Sequence, residues 1–232
     1  MKSLARRLSC AGLALFSLVW MVSCASEKSE GFTSTGAVLR GMVYDENRTP
    51  VSDVDVSWVG KDATVKSARS DVHGRYLIPE VAFGQVTLHF AKQDYEPVDW
   101  TFSFESPMQV VYVRMVDLSG LLDDVADSIQ KRDWAAASSL LDRIHKLQPD
   151  NRVAAYLKAV LLARQGNPEL AAALLEKLSA EKGTSFAIEL TLADLYQYKL
   201  AQPDKALLHL KAALAIQDDI DVENRISALE KM

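Results

Sequence analysis

Cysteine is nearly absent from this 232-residue chain: there are two, Cys10 and Cys24, and none in the 208 residues after them. That excludes a disulfide scaffold, a Cys-ligated zinc or iron–sulfur centre and a thiol nucleophile in the folded body. Histidine is scarce too, with four residues, His73, His89, His145 and His209. None has a second ligand at metal spacing, or a nucleophile and orienting group beside it. Asp53, Asp55, Asp62 and Asp71 lack the density of a calcium loop and read as a solvated sheet face. No Gly-rich phosphate loop, Walker pattern or His-Glu-x-x-His occurs. No cofactor is expected, and the chain is read as a non-enzyme. Positive charge is short: Lys2, Arg6 and Arg7 sit at the N-terminus, leaving 23 basic against 31 acidic residues from Cys24 onward, a net −8. A nucleic-acid partner is therefore not expected. What is present, 49% hydrophobic and 25% charged residues, is ordinary for a folded chain of one or two domains.

Residues 1–23 read as a bacterial export signal. A basic start ending at Arg6-Arg7 precedes a short apolar stretch, Ala11 to Val22, well under the ~20 residues of a membrane-spanning helix. Ser23-Cys24 at its end resembles the lipobox of bacterial lipoproteins, with Met21 where that family usually has Leu. The resemblance implies that Cys24 receives a diacylglyceryl group and, after cleavage, often a further acyl chain such as palmitate. An ordinary cleaved signal or an uncleaved anchor is the alternative, but an otherwise cysteine-free chain leaves Cys24 no disulfide partner. Residues 24–36 are small and polar and read as a tether reaching ~40 Å at full extension. The expected location is the bacterial cell envelope, lipid-anchored in the outer membrane and facing the periplasm or the cell surface.

Residues 37–116 carry strand signals. Val54 and Val56, Tyr76 and Ile78, Val86, Leu88 and Phe90, and Val111 and Val113 each alternate with polar or exposed-type neighbours. Turn residues separate these runs at Asp45–Pro50, Gly60–Asp62, Asp71–Gly74, Phe83-Gly84 and Ser106-Pro107. Six or seven strands in about 80 residues predict a small antiparallel β-sandwich. The series Gly41-x-Val43-x-Asp45, Pro50-Val51-x-x-Val54-x-Val56 and Ser70-Asp71-x-x-Gly74-x-Tyr76-x-Ile78 resembles the carboxypeptidase regulatory-like domain, a transthyretin-like sandwich. That resemblance implies a non-catalytic module that spaces, stabilises or binds. Trp58 and Trp100 lie in strand-like runs, where core packing is the commoner role.

From Asp117 onward Ala and Leu dominate, and a period emerges. Ala137-x-x-x-Leu141 recurs as Ala171-x-x-x-Leu175 and as Ala206-x-x-x-Leu210, at offsets of 34 and 35. The extra residue is placed in the turn Leu200–Pro203. Small residues at Ala159 and Ala193 and a proline at Pro149 complete a pattern that resembles the tetratricopeptide repeat, in three copies over 117–220, with a capping helix over 221–232. Val125 and Ser128 depart from it in the first copy, Gly183 and Asp218 at the ends of the others. The fold expected is therefore multidomain, β then α: a sandwich followed by an α-helical solenoid.

The resemblance implies a concave groove that takes a partner's peptide or helix. Transferred onto this chain, its lining is Leu122, Ala126, Ile129 and Gln130, then Val153, Tyr156, Val160 and Arg164, then Leu190, Asp194, Gln197 and Tyr198. First-copy residues have packing against the sandwich or another subunit as their alternative role. The function expected is a lipid-anchored, non-enzymatic scaffold for a protein partner. The alternative is a glycan- or peptidoglycan-binding lipoprotein that uses the sandwich, with the repeats mediating oligomerisation.

Overall fold

The computed structural model describes residues 36–60, 63–180 and 184–231. Cys24 with its export signal, all of the tether before Gly36, Lys61, Asp62 and Gly183 lie outside the described residues. Strands come first: β1 (Ala37–Tyr44), β2 (Asp55–Val59), β3 (Val65–Arg69), β4 (Arg75–Val81), β5 (Gly84–Ala91), β6 (Val98–Phe104) and β7 (Val110–Arg114). They form a three-stranded sheet in the order β4-β1-β7 and a four-stranded sheet in the order β3-β2-β5-β6. The alternating apolar residues of both sheets meet in one core cluster, in which Leu39, Val54, Val56, Ile78, Leu88 and Phe90 are fully buried. Each such side chain contributes ~2 kcal/mol of transfer free energy, which is what commits a strand to one face.

The all-antiparallel expectation is corrected by β7, which pairs parallel to β1 with Gly41 opposite Val111 and Val43 opposite Val113. The segment after β6 carries the chain from an edge of one sheet to an edge of the other, so β7 arrives running the same way as β1. Gly41 is required by packing: a Cβ there would lie 2.2 Å from the ring of Tyr76, its cross-strand partner. Gly74 has φ +72° and closes the β3–β4 turn, as its place behind a charged tip predicts. Trp58 is buried as expected, whereas Trp100 is 47% exposed because β6 is an edge strand and its inner face is only partly covered.

Helices make up the rest of the described chain: α1 (Leu118–Gln130), α2 (Trp134–Leu147), α3 (Arg152–Arg164), α4 (Pro168–Ala180), α5 (Phe186–Asp194), α6 (Pro203–Ile216) and α7 (Ile220–Leu229). They pair as hairpins α1–α2, α3–α4 and α5–α6, with α7 packed on α6 through Val222 and Ile226. Ala137, Ala171 and Ala206 are all fully buried, as are Ala159 and Ala193, so the small residues sit where helices approach. The period is also written in the backbone. Arg132, Gly166 and Ala201, spaced by 34 and 35, all have positive φ at the first turn of each hairpin. Asp133 N–H donates to the Ser128 carbonyl and Asn167 N–H to that of Leu162, the 6→1 bond of a helix-ending αL turn.

The odd residue of the third copy is not in that turn, which corrects the placement at Leu200–Pro203. It is absorbed by a π-helical turn, Leu195–Lys199, that continues α5, where Leu200 N–H reaches back five residues to the Leu195 carbonyl at 2.9 Å. An inserted residue inside a helix is accommodated by one wide turn, which rotates the residues after it about the helix axis. Strands and helices join without a linker. Asp117 bridges to Tyr95 and caps α1, Leu118 N–H donates to the Asp94 carbonyl, and Arg143 of α2 donates from Nε and one terminal nitrogen to the two oxygens of Glu96.

Candidate functional site

The first helices of the three hairpins, α1, α3 and α5 with its π turn, border a concavity of about 860 Å³. Of the sequence-expected lining it gathers Ala126, Ile129, Gln130, Tyr156, Val160, Arg164, Asp194 and Tyr198. Leu122, Val153, Leu190 and Gln197 are not among the lining residues, and each has a physical reason. Leu122 packs into the first hairpin's core cluster and Leu190 into that of the third. Val153, 53% exposed, lies one turn too early on α3, and the Gln197 side chain is engaged by Arg225 of α7 at 2.6 Å.

Sequence reading missed Arg132, Trp134 and Lys199, which also line the concavity. Lys199 had a findable signal: it stands 35 residues after Arg164, the same offset as the Ala-x-x-x-Leu pair. Arg132 and Trp134 lie in and just after a hairpin turn, where a search along first helices does not look.

The floor is aromatic and aliphatic and the rim is cationic. Tyr156 is anchored by its hydroxyl, which donates to Thr191 Oγ1 at 3.1 Å, since the Thr191 hydroxyl itself donates to the Ala187 carbonyl. This bond ties α3 to α5 across the concavity. The one carboxylate of the described lining, Asp194, already accepts from Arg225 at 2.8 Å, and the same guanidinium lies 5.5 Å from the Tyr198 ring centroid. Arg132, Arg164 and Lys199 make no ion pair or side-chain hydrogen bond among the described residues. Arg164 and Lys199 end their helices, where the carbonyl ends of the helix favour positive charge. Arg132 stands at φ 59°, a conformation that costs a residue with a Cβ about 1 kcal/mol relative to glycine.

A second polar feature lies inside the helices. Glu189 is buried, with Ser179 Oγ and Thr184 Oγ1 donating to Oε1 and His209 Nδ1 2.8 Å from Oε2. Burial pushes this carboxyl's pKa up, but the hydrogen bonds from Ser179, His209 and Thr184 outweigh it and hold it below the usual carboxylate range. His209 stacks on Tyr196, whose hydroxyl donates to Glu176 and whose pKa is pushed up to about 12 by burial and that carboxylate. Ser, Glu and His are adjacent here, but the carboxylate stands between the other two. The imidazole therefore meets the carboxylate and not the hydroxyl, unlike a nucleophile–base pair, and the group ties α4, α5 and α6 together. The remaining histidines are exposed: His73 at a turn tip, His89 beside Asp99 at 2.7 Å, and His145 on α2. Among the described residues no three His, Cys, Asp or Glu side chains gather as a metal site, and no helix is long and apolar enough to cross a membrane.

No family model and no curated protein sequence matches the chain. Among solved structures, about half of the chain is similar to tetratricopeptide-repeat proteins. The Arabidopsis OM64 TPR domain is 13% identical, with a TM-score of 0.42, over 49% of this chain and 93% of that one. The first TPR domain of human RPAP3 is 12% identical, with a TM-score of 0.42, over 48% and 87%. A thermophilic TPR protein of Thermus thermophilus is 21% identical, with a TM-score of 0.39, over 50% and 61%, so the matched region spans less than two thirds of that protein.

Proposed function

We propose that this chain is a non-catalytic scaffold of the bacterial cell envelope, attached to the membrane through lipidated Cys24. Its two sheets act as a carboxypeptidase regulatory-like sandwich that spaces the helices from the membrane. Its three hairpins act as a short tetratricopeptide solenoid whose groove holds an extended segment of a protein partner. The observation that carries this reading is the 860 Å³ concavity lined by all three first helices; among the described residues three of its cations are unpaired and its one carboxylate is already neutralised. Such a groove fits a segment that alternates aliphatic or aromatic residues with carboxylates.

A labelled twelve-residue peptide of alternating Glu and Leu tests it. Saturable binding that weakens with salt, and that falls about tenfold or more in Arg164→Glu/Lys199→Glu, is expected. Equal binding of a Lys/Leu peptide, or no effect of the charge reversal, contradicts it. Membrane attachment has its own test: Cys24→Ser should move the protein from the detergent phase to the aqueous phase.

Half-exposed Trp100 favours a second reading, in which the sandwich stacks a glycan and the repeats mediate oligomerisation. Saturable glycan binding lost in Trp100→Ala would put that reading first.

A further inference from the structure

The two sheets turn chemically different outer faces to solvent. On the four-stranded sheet the outward residues are polar and partner one another across strands: Arg69 pairs with Asp55 at 2.9 Å, His89 Nδ1 lies 2.7 Å from Asp99, and Thr87 bonds Thr101 at 2.8 Å. Its exposed apolar pair, Val59 opposite Val65, sits at the hairpin end.

The three-stranded sheet is the reverse. Its register sets Leu77, Arg40 and Val110 in one row and Arg75, Met42 and Tyr112 in the next, with Tyr44 beside Arg114 beyond. Leu77, Val110 and Tyr112 are 57%, 45% and 58% exposed, and these rows contain three arginines and no carboxylate. Arg75 has Asp71 at its border at 3.0 Å, and Arg40 donates to the Pro107 carbonyl. Arg114 has no ion pair or hydrogen bond from its side chain among the described residues.

Guanidinium groups interleaved with aliphatic and aromatic side chains, in rows whose nearest carboxylate is Asp71 at the border, match an anionic bilayer surface. Headgroup phosphates meet the cations, and the interface takes the apolar parts. The N-terminal residues outside the described ones lead into this same sheet. β1, its central strand, begins at Ala37, and no more than roughly 45 Å of backbone separates Ala37 from Cys24. Attachment at that distance raises the effective concentration of the face at the bilayer to the order of millimolar, so a weak surface suffices. From Cys24 onward the chain is otherwise acidic, so an anionic surface repels most of the protein and attracts this face. We propose that the outer face of the β4-β1-β7 sheet lies on anionic phospholipid, which sets how the helical groove is presented. The proposal rests on the membrane-attachment reading above.

The cysteine-free body makes the test direct. The full chain carrying Cys10→Ser is isolated from membranes and reconstituted in phosphatidylcholine vesicles with or without phosphatidylglycerol. A single thiol is introduced by Tyr112→Cys, by Leu77→Cys or, on the other sheet, by Thr101→Cys, and is labelled with an environment-sensitive fluorophore. The expected result is a blue shift and several-fold stronger quenching by a lipid-borne quencher at positions 112 and 77 than at 101, enhanced by phosphatidylglycerol. Equal quenching at all three positions overturns the proposal. So does shielding that tracks protein-to-lipid ratio instead of anionic lipid, which would mark the face as a contact between proteins. The parent without an introduced thiol keeps the two failures apart: labelling of Cys24 there shows it unmodified and removes the attachment reading, and this proposal with it.

Discussion

Leu39 and Met115, at opposite ends of the stranded region, are buried in the same core cluster. In the helical region the buried side chains fall into three clusters, two made by neighbouring hairpins and one by the third hairpin with α7. The first arrangement depends on contacts between distant parts of the chain and loses them together. The second is a sum of local units and their interfaces. Tolerance differs accordingly. The helices accommodate a buried carboxylate and a π turn, while non-glycine residues at positive φ, such as Arg48 and Arg132, occur in both regions. Among the described residues each region leaves one buried polar atom unpartnered, the Tyr76 hydroxyl in the strand core and Arg225 Nε in the helices.

The largest expected effect is at Glu189. Glu189→Ala strands His209 and Ser179 without their acceptor and should cost about 3 kcal/mol. Hydrogen exchange should loosen α4 to α6 while the strands keep their protection, and equal loosening of both regions would break the comparison. Next is Gly41→Ala, where the new methyl meets the Tyr76 ring, at about 1–3 kcal/mol. Here protection should fall across both sheets at once, since they share one core.

Acid sharpens the contrast further. Glu189 has a depressed pKa in the folded state, so its contribution is complete above the unfolded value of ~4.3 and is lost as pH falls through the folded value. Asp71 and Glu80 of the stranded region are also depressed, by Arg75 and Lys66, but both are exposed and add little. Helical protection should therefore fail first below about pH 4, and Glu189→Gln should flatten that dependence. The smallest effect is at Arg132. Arg132→Gly should stabilise the first hairpin by about 0.5–1 kcal/mol while weakening the Glu/Leu peptide, separating stability from binding at one residue.

How much was legible divides along the same line. Strands with full apolar alternation, such as β5 with Val86, Leu88 and Phe90, could be read directly. β3 could not: Ala68 is its only inward apolar residue, and Lys66 spends its charge on Glu80 at 2.7 Å. The parallel pairing of β7 is a property of the path between sheets, which no local pattern encodes. In the helices the 34-residue period located the hairpins and most of the groove. It misplaced the extra residue because a turn and a π bulge absorb an insertion equally well in sequence. Glu189 shares a face with Leu192 and Tyr196, a charge on an apolar stripe, and that spacing was its only signal.

On the proposed function, the concave side of the hairpins, and not another surface, receives the partner. Photo-crosslinking in cells from position 156, inside the groove, and from position 153, exposed on the same helix but outside it, tests this most directly. One discrete protein adduct is expected from 156, disappearing in the Arg164→Glu background, and none from 153. Equal adducts from both positions, or an adduct at 156 indifferent to Arg164→Glu, would contradict it.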